Sequence, residues 1–249
     1  MHKSIKKNYL ILGSLLLWIL ACPAFAAPGL SVNLGDGASS ATVGVQLLIL
    51  LTVLSVAPSI LLMTTSFVRF IIVFGMLRTA MGLGQMPPTQ VLIGLSLILT
   101  FVVMQPTFQR VNDEALQPFL EKKIDEKKFI DSALIPLKDF MLIQTGEKEL
   151  ELAYKITKAE KPKTRSEIQT HILMMSFMLS ELKKSFQIGF MLFLPFIIID
   201  MITASALVSI GLMFLPPTTL SLPFKLVLFI LIDGWNILSE GLIRGFIPA

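Results

Sequence analysis

The chain has little of the chemistry that enzymes commonly use. Its 249 residues include one cysteine, Cys22, and two histidines, His2 and His171. A disulfide within the chain or a cysteine cluster for a metal is therefore excluded. No HExxH motif, Ser-His-Asp set or Walker lysine can be assembled either. The sequence predicts a protein without metal, cofactor or catalysis of its own.

Charge is also scarce. Charged residues make up 15% of the chain against 54% hydrophobic residues, and the mean hydropathy is +0.76. This balance indicates an integral membrane protein. Without Lys3, Lys6 and Lys7 the chain has 18 basic and 17 acidic residues, so a basic surface for nucleic acid is not expected.

Long apolar stretches predict an all-α fold with two long helical hairpins, because about 20 apolar residues suffice to cross a bilayer. The first hairpin covers residues 44–106, with a charge-free first span over 44–68 and a turn at Pro87 and Pro88. The second covers 186–249, with a helix from Phe186 to Leu215, a turn at Pro216 and Pro217, and an apolar helix over about 222–243. The turns share the patterns GLGQMPPT and GLMFLPPT, which indicate a weak internal repeat or the same turn chemistry used twice.

Residues 107–185 differ sharply from these hairpins, with 14 Lys+Arg and 13 Asp+Glu. Apolar residues at three- and four-residue spacing predict helices over 113–119, 133–144 and 148–156. We expect a soluble helical insertion between the hairpins.

The N-terminus has the pattern of a secretory signal. Residues 1–26 combine MHKSIKK, an apolar core and the sequence Ala24-Phe25-Ala26, which predicts a cleaved signal peptide. A retained signal anchor and a lipoprotein site at Cys22 are the alternatives. Residues 27–43 are predicted to form a mobile tail. Cleavage would place Arg69 and Arg78 on the cytoplasmic side and the insertion 107–185 in the periplasm.

Of the seven charged residues within the two hairpins, five are candidates for burial among apolar neighbours. Such charges usually face protein or water rather than lipid, so we expect buried charges that serve assembly. Arg69 and Arg78 would lie on opposite faces of one helix, and the alternative for each is an anchor whose charged end reaches the interface. A hairpin that turns near Thr218 would separate Asp200 from Lys225 by about 18 Å, so we expect these two to pair between subunits or to face a wet interior. The set is Arg69, Arg78, Asp200, Lys225 and Asp233.

Four blocks of sequence resemble one known family. They are MTTSFVRFIIVFGMLRTAMGLGQMPPTQVLIGLSLILTF, NDEALQPF, SELKKSFQIGFMLFLPFIIID and MFLPPTTLSLPFKLVLFILIDGWNIL. In this order they resemble the FliP family of flagellar type III secretion, over essentially residues 45–241. The signal peptide and the LRTA block look more like the flagellar branch than the injectisome branch.

The resemblance implies an export gate in the bacterial inner membrane, at the flagellar basal body. FliP-like subunits assemble with FliQ and FliR, and five FliP copies are expected in this assembly. FlhB and FlhA lie beside it. Unfolded flagellar subunits pass through the centre. A methionine-rich loop before the second Pro-Pro turn seals the pore in this family. The matching residues here are Leu212, Met213 and Phe214, of which only Met213 is a methionine as in the family. Bulky apolar side chains such as these could still seal the pore.

Three other functions are weighed against this interpretation. The equivalent subunit of a virulence injectisome shares the same sequence blocks. A small-solute transporter would explain the repeated turns and the charges within apolar helices. An intramembrane aspartyl protease would use Asp200 and Asp233, although they lie 33 residues apart without the Gly-Asp loop of such enzymes.

Overall fold

The computed structural model describes residues 40–160, 162, 164, 167–212 and 214–246. The signal peptide and residues 27–39 of the predicted tail lie outside this part of the chain. The described residues form helices and connecting turns, which confirms the all-α prediction. The helices are α1 (Ser40–Met63), α2 (Phe67–Met81), α3 (Thr89–Val111), a π-helical turn (Asn112–Leu116), α4 (Gln117–Leu120), α5 (Glu126–Gln144), α6 (Glu147–Thr157), α7 (Thr170–Ser209), α8 (Pro217–Leu231) and α9 (Gly234–Arg244).

Two helical segments are long and apolar enough to cross a membrane, Thr89–Leu120 and Thr170–Ser209. Two interrupted pairs pass the same test when each is counted as one span: Leu47–Met63 with Phe67–Met81, and Pro217–Leu231 with Gly234–Arg244. The described part of the chain therefore holds two to four candidate spans by length and composition.

The chain divides into two compact units, residues 1–53 and residues 54–249. In the first unit, the described residues belong to α1, which begins at Ser40, inside the predicted tail. Its apolar side chains from Leu47 to Leu51 are all exposed.

In the second unit, the predicted first span over 44–68 is not continuous, because α1 ends at Met63 and α2 begins at Phe67. Three hydroxyl residues fill the break. The hydroxyls of Thr64 and Thr65 donate to backbone carbonyls of the preceding turn, and the Thr65 hydroxyl also accepts from the Phe67 amide. Such side-chain bonds compete with the helical ladder, which explains why the helix stops here.

The two predicted turns use the same backbone chemistry. After α2, Gly82 has φ +75°, and after α7, Gly211 has φ +76°, so each glycine adopts the left-handed conformation that ends many helices. In each turn the glycine amide and the next amide bond back to the last helical carbonyls, as in a Schellman motif. The pairs Pro87-Pro88 and Pro216-Pro217 follow five residues after these glycines and begin the next helix. The repeated pattern therefore includes shared helix-ending chemistry, although the first turn differs from the second in its cis Met86–Pro87 bond. The weak internal repeat stays a prediction.

One predicted boundary is wrong as a result. We expected α7 to continue to Leu215 and to stop at Pro216, but it ends at Ser209. The helix ends because of the left-handed Gly211, and a loop of seven residues separates α7 from α8. The second apolar helix is also interrupted, at Ile232 and Asp233.

The main core lies between α2 and α7. The buried residues of α2 recur at three- and four-residue spacing, as expected for one face of a helix: Phe70, Val73, Phe74, Leu77, Ala80 and Met81. The two helices run parallel, because Arg69 contacts Glu181 and, further along both helices, Met76 packs against Gly189. A β-carbon at Gly189 would overlap the Met76 thioether, so any larger residue there would force the Met76 side chain to move.

The insertion has a second, smaller core. It joins α5, α6 and the first turns of α7, which extends from the insertion into the second hairpin without a break. Phe140 contacts both cores, which ties the insertion to the hairpins. The predicted helical character of the insertion is confirmed, and its core residues are Met141, Ala153, Tyr154, Ile168, Ile172, Leu173 and Phe177.

Candidate functional site

Asp200 of α7 and Lys225 of α8 form an ion pair inside the second hairpin. The Lys225 Nζ atom lies 2.6 Å from Asp200 Oδ2, and the side chains are 3% and 28% exposed. The Ser221 hydroxyl, one turn before Lys225, donates to the other carboxylate oxygen of Asp200. A charge buried to this extent is stabilised only by such direct partners.

The same ammonium group reaches α2. Lys225 Nζ donates to the Ala80 carbonyl at 3.2 Å. Ala80 lies in the last turn of α2, where carbonyls have no partner within the helix and where the helix dipole is negative. One lysine therefore holds the end of α2, the last quarter of α7 and the middle of α8 together.

This pair corrects our prediction that Asp200 and Lys225 cannot meet within one hairpin. The prediction placed the turn near Thr218, where the second Pro-Pro pair lies. In the structure, the loop runs from Ile210 to Pro216, and Asp200 and Lys225 lie almost equally far from its centre. The antiparallel register therefore brings them opposite each other.

A second buried ion pair joins Arg69 of α2 to Glu181 of α7. Arg69 Nε and Nη2 donate to the two carboxylate oxygens at 2.8 and 2.5 Å, and both side chains are buried. This is the two-pronged geometry in which guanidinium and carboxylate bind most strongly. The Arg69 guanidinium also lies 3.5 Å from the centre of the Phe246 ring, a cation–π contact.

Gln144, the last residue of α5, extends this network. Its side-chain oxygen accepts from Arg69 at 3.1 Å and from Lys184 at 3.2 Å, and its amide donates to the Phe246 carbonyl at 3.2 Å. Arg69 also donates to the Gly245 carbonyl. The insertion, both hairpins and the residues after α9 thus meet around one arginine.

The network corrects our placement of Arg69. We expected Arg69 and Arg78 on one side of the membrane and the insertion on the other. Arg69 bonds directly to Glu181 and Gln144 of the insertion, so these three residues lie at the same height along α2 and α7. Arg78 lies at the far end of α2 and donates to the Pro87 carbonyl and to the Thr89 hydroxyl, beside the first Pro-Pro turn.

Two of the five predicted charges, Arg69 and Lys225, are buried. Arg78 and Asp200 are half-buried. Asp233, which we predicted to be buried, is exposed; it accepts from Asn236 and has a positive φ of 53° at the break between α8 and α9. A role of these charges in assembly stays a prediction.

The predicted gate residues lie in the loop between α7 and α8. Phe214 is 90% exposed and Leu212 is 41% exposed. Met213 falls outside the described residues. The Leu212 amide bonds to the Leu207 carbonyl, which fixes the start of the loop to the end of α7. Large apolar side chains exposed in this way usually mark a contact with a partner or with lipid.

The end of the second hairpin is not covered by any other part of the chain that the structure describes. With Met76 against Gly189, the end of α2 faces about residue 194, so α7 continues for about 22 Å beyond it at 1.5 Å per residue. Side chains on this extension are mostly apolar and exposed on several faces, including Ile198, Met201, Ile202 and Val208. A helix that is apolar all round is stable only when lipid or protein covers it.

Sequence reasoning missed the partners of these charges, Glu181, Gln144 and Ser221. One signal was available for Glu181, which is an acid within the apolar pattern ILMMSFMLSELKKSF. A lone acid in such a helix calls for a cation from another element. Gln144 and Ser221 carry no comparable signal, because polar residues at a helix end or within a hairpin are common.

Comparisons with known proteins identify relatives of the chain. The sequence model of the FliP family matches residues 50–242. The flagellar biosynthetic protein FliP of Caulobacter vibrioides is 44% identical over 236 residues, which cover 95% of this chain and 89% of the relative. The protein of the same name from Bacillus subtilis is 48% identical over 81% of this chain and 91% of its own length. That of Aquifex aeolicus is 42% identical over 88% and 92%.

Proposed function

The chain belongs to the FliP family of flagellar biosynthetic proteins, components of type III protein export, and we propose that it is a core subunit of the flagellar export gate. In this proposal it forms, with FliQ and FliR, the channel through which unfolded flagellar proteins leave the cell. FlhB and FlhA lie beside this channel, and five copies of the chain take part. The complex resides in the bacterial inner membrane at the flagellar basal body.

The bare end of the second hairpin is the observation that carries the proposal. Its base is fixed by the Asp200–Lys225 pair and the Ala80 carbonyl. Beyond this pair, α7 and α8 expose apolar side chains that have no cover within the described chain. A rigid base with an apolar, uncovered extension is what a subunit of a larger helical assembly requires.

The loop between α7 and α8 supplies the gate in this proposal. Leu212, Met213 and Phe214 would form an apolar ring with the same residues of other copies. Apolar constrictions exclude water and ions, while flexible side chains yield to a passing chain. The exposure of Phe214 supports this assignment.

The Arg69 network bears on the proposed orientation. If the insertion 107–185 is periplasmic, Arg69 lies at that level too, since it bonds to Glu181. Arg78 and the first Pro-Pro turn then lie toward the cytoplasm. Both hairpins turn away from the insertion, so the gate loop would point toward the cytoplasmic side.

We further propose that the chain acts without catalysis. Asp200 bonds to Lys225 and Ser221, whereas Asp233 bonds to Asn236. An aspartyl protease needs two carboxylates that share one proton. Separate partners for the two aspartates disfavour that chemistry.

Deletion of the gene tests the proposed function. We expect loss of motility and of flagellin in the culture medium, and recovery of both from a plasmid copy. Intact flagella with loss of effector secretion would assign the chain to an injectisome instead. If motility, flagellin export and effector secretion all persist, the export function is wrong and uptake by reconstituted vesicles tests the transporter.

Variants of the loop test the gate. Met213→Ala and Phe214→Ala should make the resting complex conduct small ions, because a smaller apolar group leaves a wider constriction. Phe190→Ala is the matched control, since Phe190 is also an exposed phenylalanine but lies on α7 far from the loop. Unchanged conductance together with unchanged export would contradict the assignment of this loop.

A further inference from the structure

An apolar groove lies between α7, α8, α9 and the second half of α2. Its volume is about 250 Å³, and its walls are entirely apolar side chains and glycines. Ile188, Leu192 and Pro195 line it from α7, and Ile237 and Gly241 line it from α9. An apolar cavity of about 150 Å³ already holds a benzene ring, so the groove has room for a hydrocarbon chain.

A positive charge lies on α7 one helical turn before the first residue of that helix to line the groove. Lys184 precedes Ile188 by one helical turn, so the two side chains lie on the same face of α7. The Lys184 ammonium donates to the backbone and side-chain oxygens of Gln144 at 2.7 and 3.2 Å. Two of its three hydrogens are thereby used, and the third can serve another acceptor.

This charge is not balanced by its nearest acid. Glu181 lies 3.8 Å from Lys184, but both of its oxygens already accept from Arg69. Glu149 also acts on Lys184 but is paired with Lys183. The three cations Arg69, Lys183 and Lys184 therefore share two carboxylates. An anion beside Lys184 would therefore be favoured electrostatically.

The position of Lys184 along the helix matches a membrane surface. The neighbouring residues Glu181 and Lys183 are charged, whereas Ser185 to Ile199 contain no charged residue. Basic side chains at such a boundary reach the level of the lipid headgroups. The groove runs from this level along the apolar part of α7 and opens beside exposed apolar groups such as Ile237.

We propose that the groove binds an acyl chain of an anionic phospholipid whose phosphate accepts a hydrogen bond from Lys184. The apolar walls provide affinity for the chain, and the unbalanced ammonium provides selectivity for a negative headgroup. This proposal is independent of the gate function, because the groove lies on the hairpin wall and not in the loop.

Trp235 provides a built-in probe of the groove. Its ring lies 5.4 Å from that of Phe229, which lines the α8 wall. Bromine atoms on an acyl chain quench tryptophan fluorescence on contact. The full chain with Trp18→Phe, which leaves Trp235 as the only tryptophan, is reconstituted in phosphatidylcholine vesicles. These vesicles contain a small fraction of either brominated phosphatidylglycerol or brominated phosphatidylcholine.

We expect brominated phosphatidylglycerol to quench Trp235 at about one fifth of the lipid fraction at which brominated phosphatidylcholine gives the same quenching. This factor of about five is the preference that one lysine near a charged membrane surface contributes. Lys184→Gln should remove this preference, and Lys184→Arg should keep it. Lys183→Gln is the matched control, because it removes the same charge one residue away, where Lys183 pairs with Glu149. Gly241→Leu should abolish quenching by both lipids, since a side chain at Gly241 meets open space and would fill the groove.

Four results would overturn the proposal. Equal quenching by the two lipids would remove the headgroup site, and an equal loss in Lys183→Gln and Lys184→Gln would reduce it to general surface charge. Unchanged quenching in Gly241→Leu would place the lipid outside the groove. If neither lipid quenches while cross-linking shows an oligomer in the same vesicles, a protein segment covers the groove. Circular dichroism verifies that each variant keeps its helical content.

Discussion

The ion pair between Asp200 and Lys225 predicts an asymmetric response to mutation. Lys225 is 3% exposed, whereas Asp200 is 28% exposed. Removing the carboxylate leaves a cation in an apolar site, with only the Ala80 carbonyl as partner. Removing the cation leaves a carboxylate that keeps the Ser221 hydroxyl and some access to its surroundings.

The magnitudes follow from this difference in burial. Loss of one partner of a buried ion pair costs about 3–5 kcal/mol, and we place Asp200→Ala near 3 kcal/mol because Lys225 keeps the Ala80 contact. We expect Lys225→Met to cost about 1–2 kcal/mol, since Met replaces most of the volume and leaves one half-buried acid. The double variant should be more stable than Asp200→Ala alone, because it leaves no unpaired charge.

Thermal unfolding of the full chain with Trp18→Phe in detergent, followed by Trp235 fluorescence, measures these differences. For a protein of this size, about 3 kcal/mol corresponds to a fall in Tm of about 6–12 °C. Native gels of the assembled complex report whether the less stable variants still assemble. If the double variant is as unstable as the sum of the single variants, Asp200 does not stabilise the charge of Lys225 and the reasoning is wrong.

The charge-swapped double variant separates the pair from its third partner. Asp200→Lys with Lys225→Asp restores opposite charges but places a carboxylate against the Ala80 carbonyl, at the negative end of α2. We therefore expect little recovery of stability. Full recovery would mean that the contact with α2 contributes nothing.

Two further predictions concern the insertion. Burial raises the pKa of Tyr154, and no described residue bonds to its hydroxyl. Tyr154→Phe should therefore raise the Tm by a few degrees. A lower Tm in this variant would reveal a missing partner of the hydroxyl. The hydrogen bond from Lys183 lowers the pKa of Glu149 below its ordinary value of 4.5, so this pair stabilises the fold above that pH and ceases to do so as pH falls through the lowered pKa. In Lys183→Gln, the free energy of unfolding should fall less between about pH 5 and pH 3 than it does in the parent chain, with a difference of less than about 1 kcal/mol. Unfolding measured at several pH values gives this difference. An unchanged pH profile would contradict the pairing.

Composition and periodicity were enough to predict the helical class and the separate insertion. Apolar runs indicate which segments are kept away from water, and the many charges in 107–185 indicate a segment that is exposed to water. They do not locate helix ends well. The break at Thr64 to Ser66 depends on side-chain bonds to the backbone, and the end of α7 depends on one glycine with a positive φ.

The candidate site was harder to predict because its partners are far apart in the chain. Arg69 was identified as a charge that needs a partner, but the sequence does not say that Glu181 provides it. That information lies in the parallel packing of α2 and α7, which depends on the close contact of Met76 with Gly189. Once this register is known, the position of Arg69 at the level of the insertion follows.

The two glycine and Pro-Pro turns show how similar local sequence can give hairpins of different reach. Both turns end one helix with a left-handed glycine and begin the next helix at the prolines. Because α2 and α7 are parallel but α7 is much longer, the first turn lies near the main core and the second lies about 22 Å beyond it. Residues of the first turn such as Met86 are themselves exposed, but the helix before that turn packs in the main core to its end. The helix before the second turn extends beyond this core, and the Asp200–Lys225 pair lies within the extension. Among the residues that the structure describes, none covers the exposed apolar side chains of this extension, so we expect lipid or further subunits to cover it.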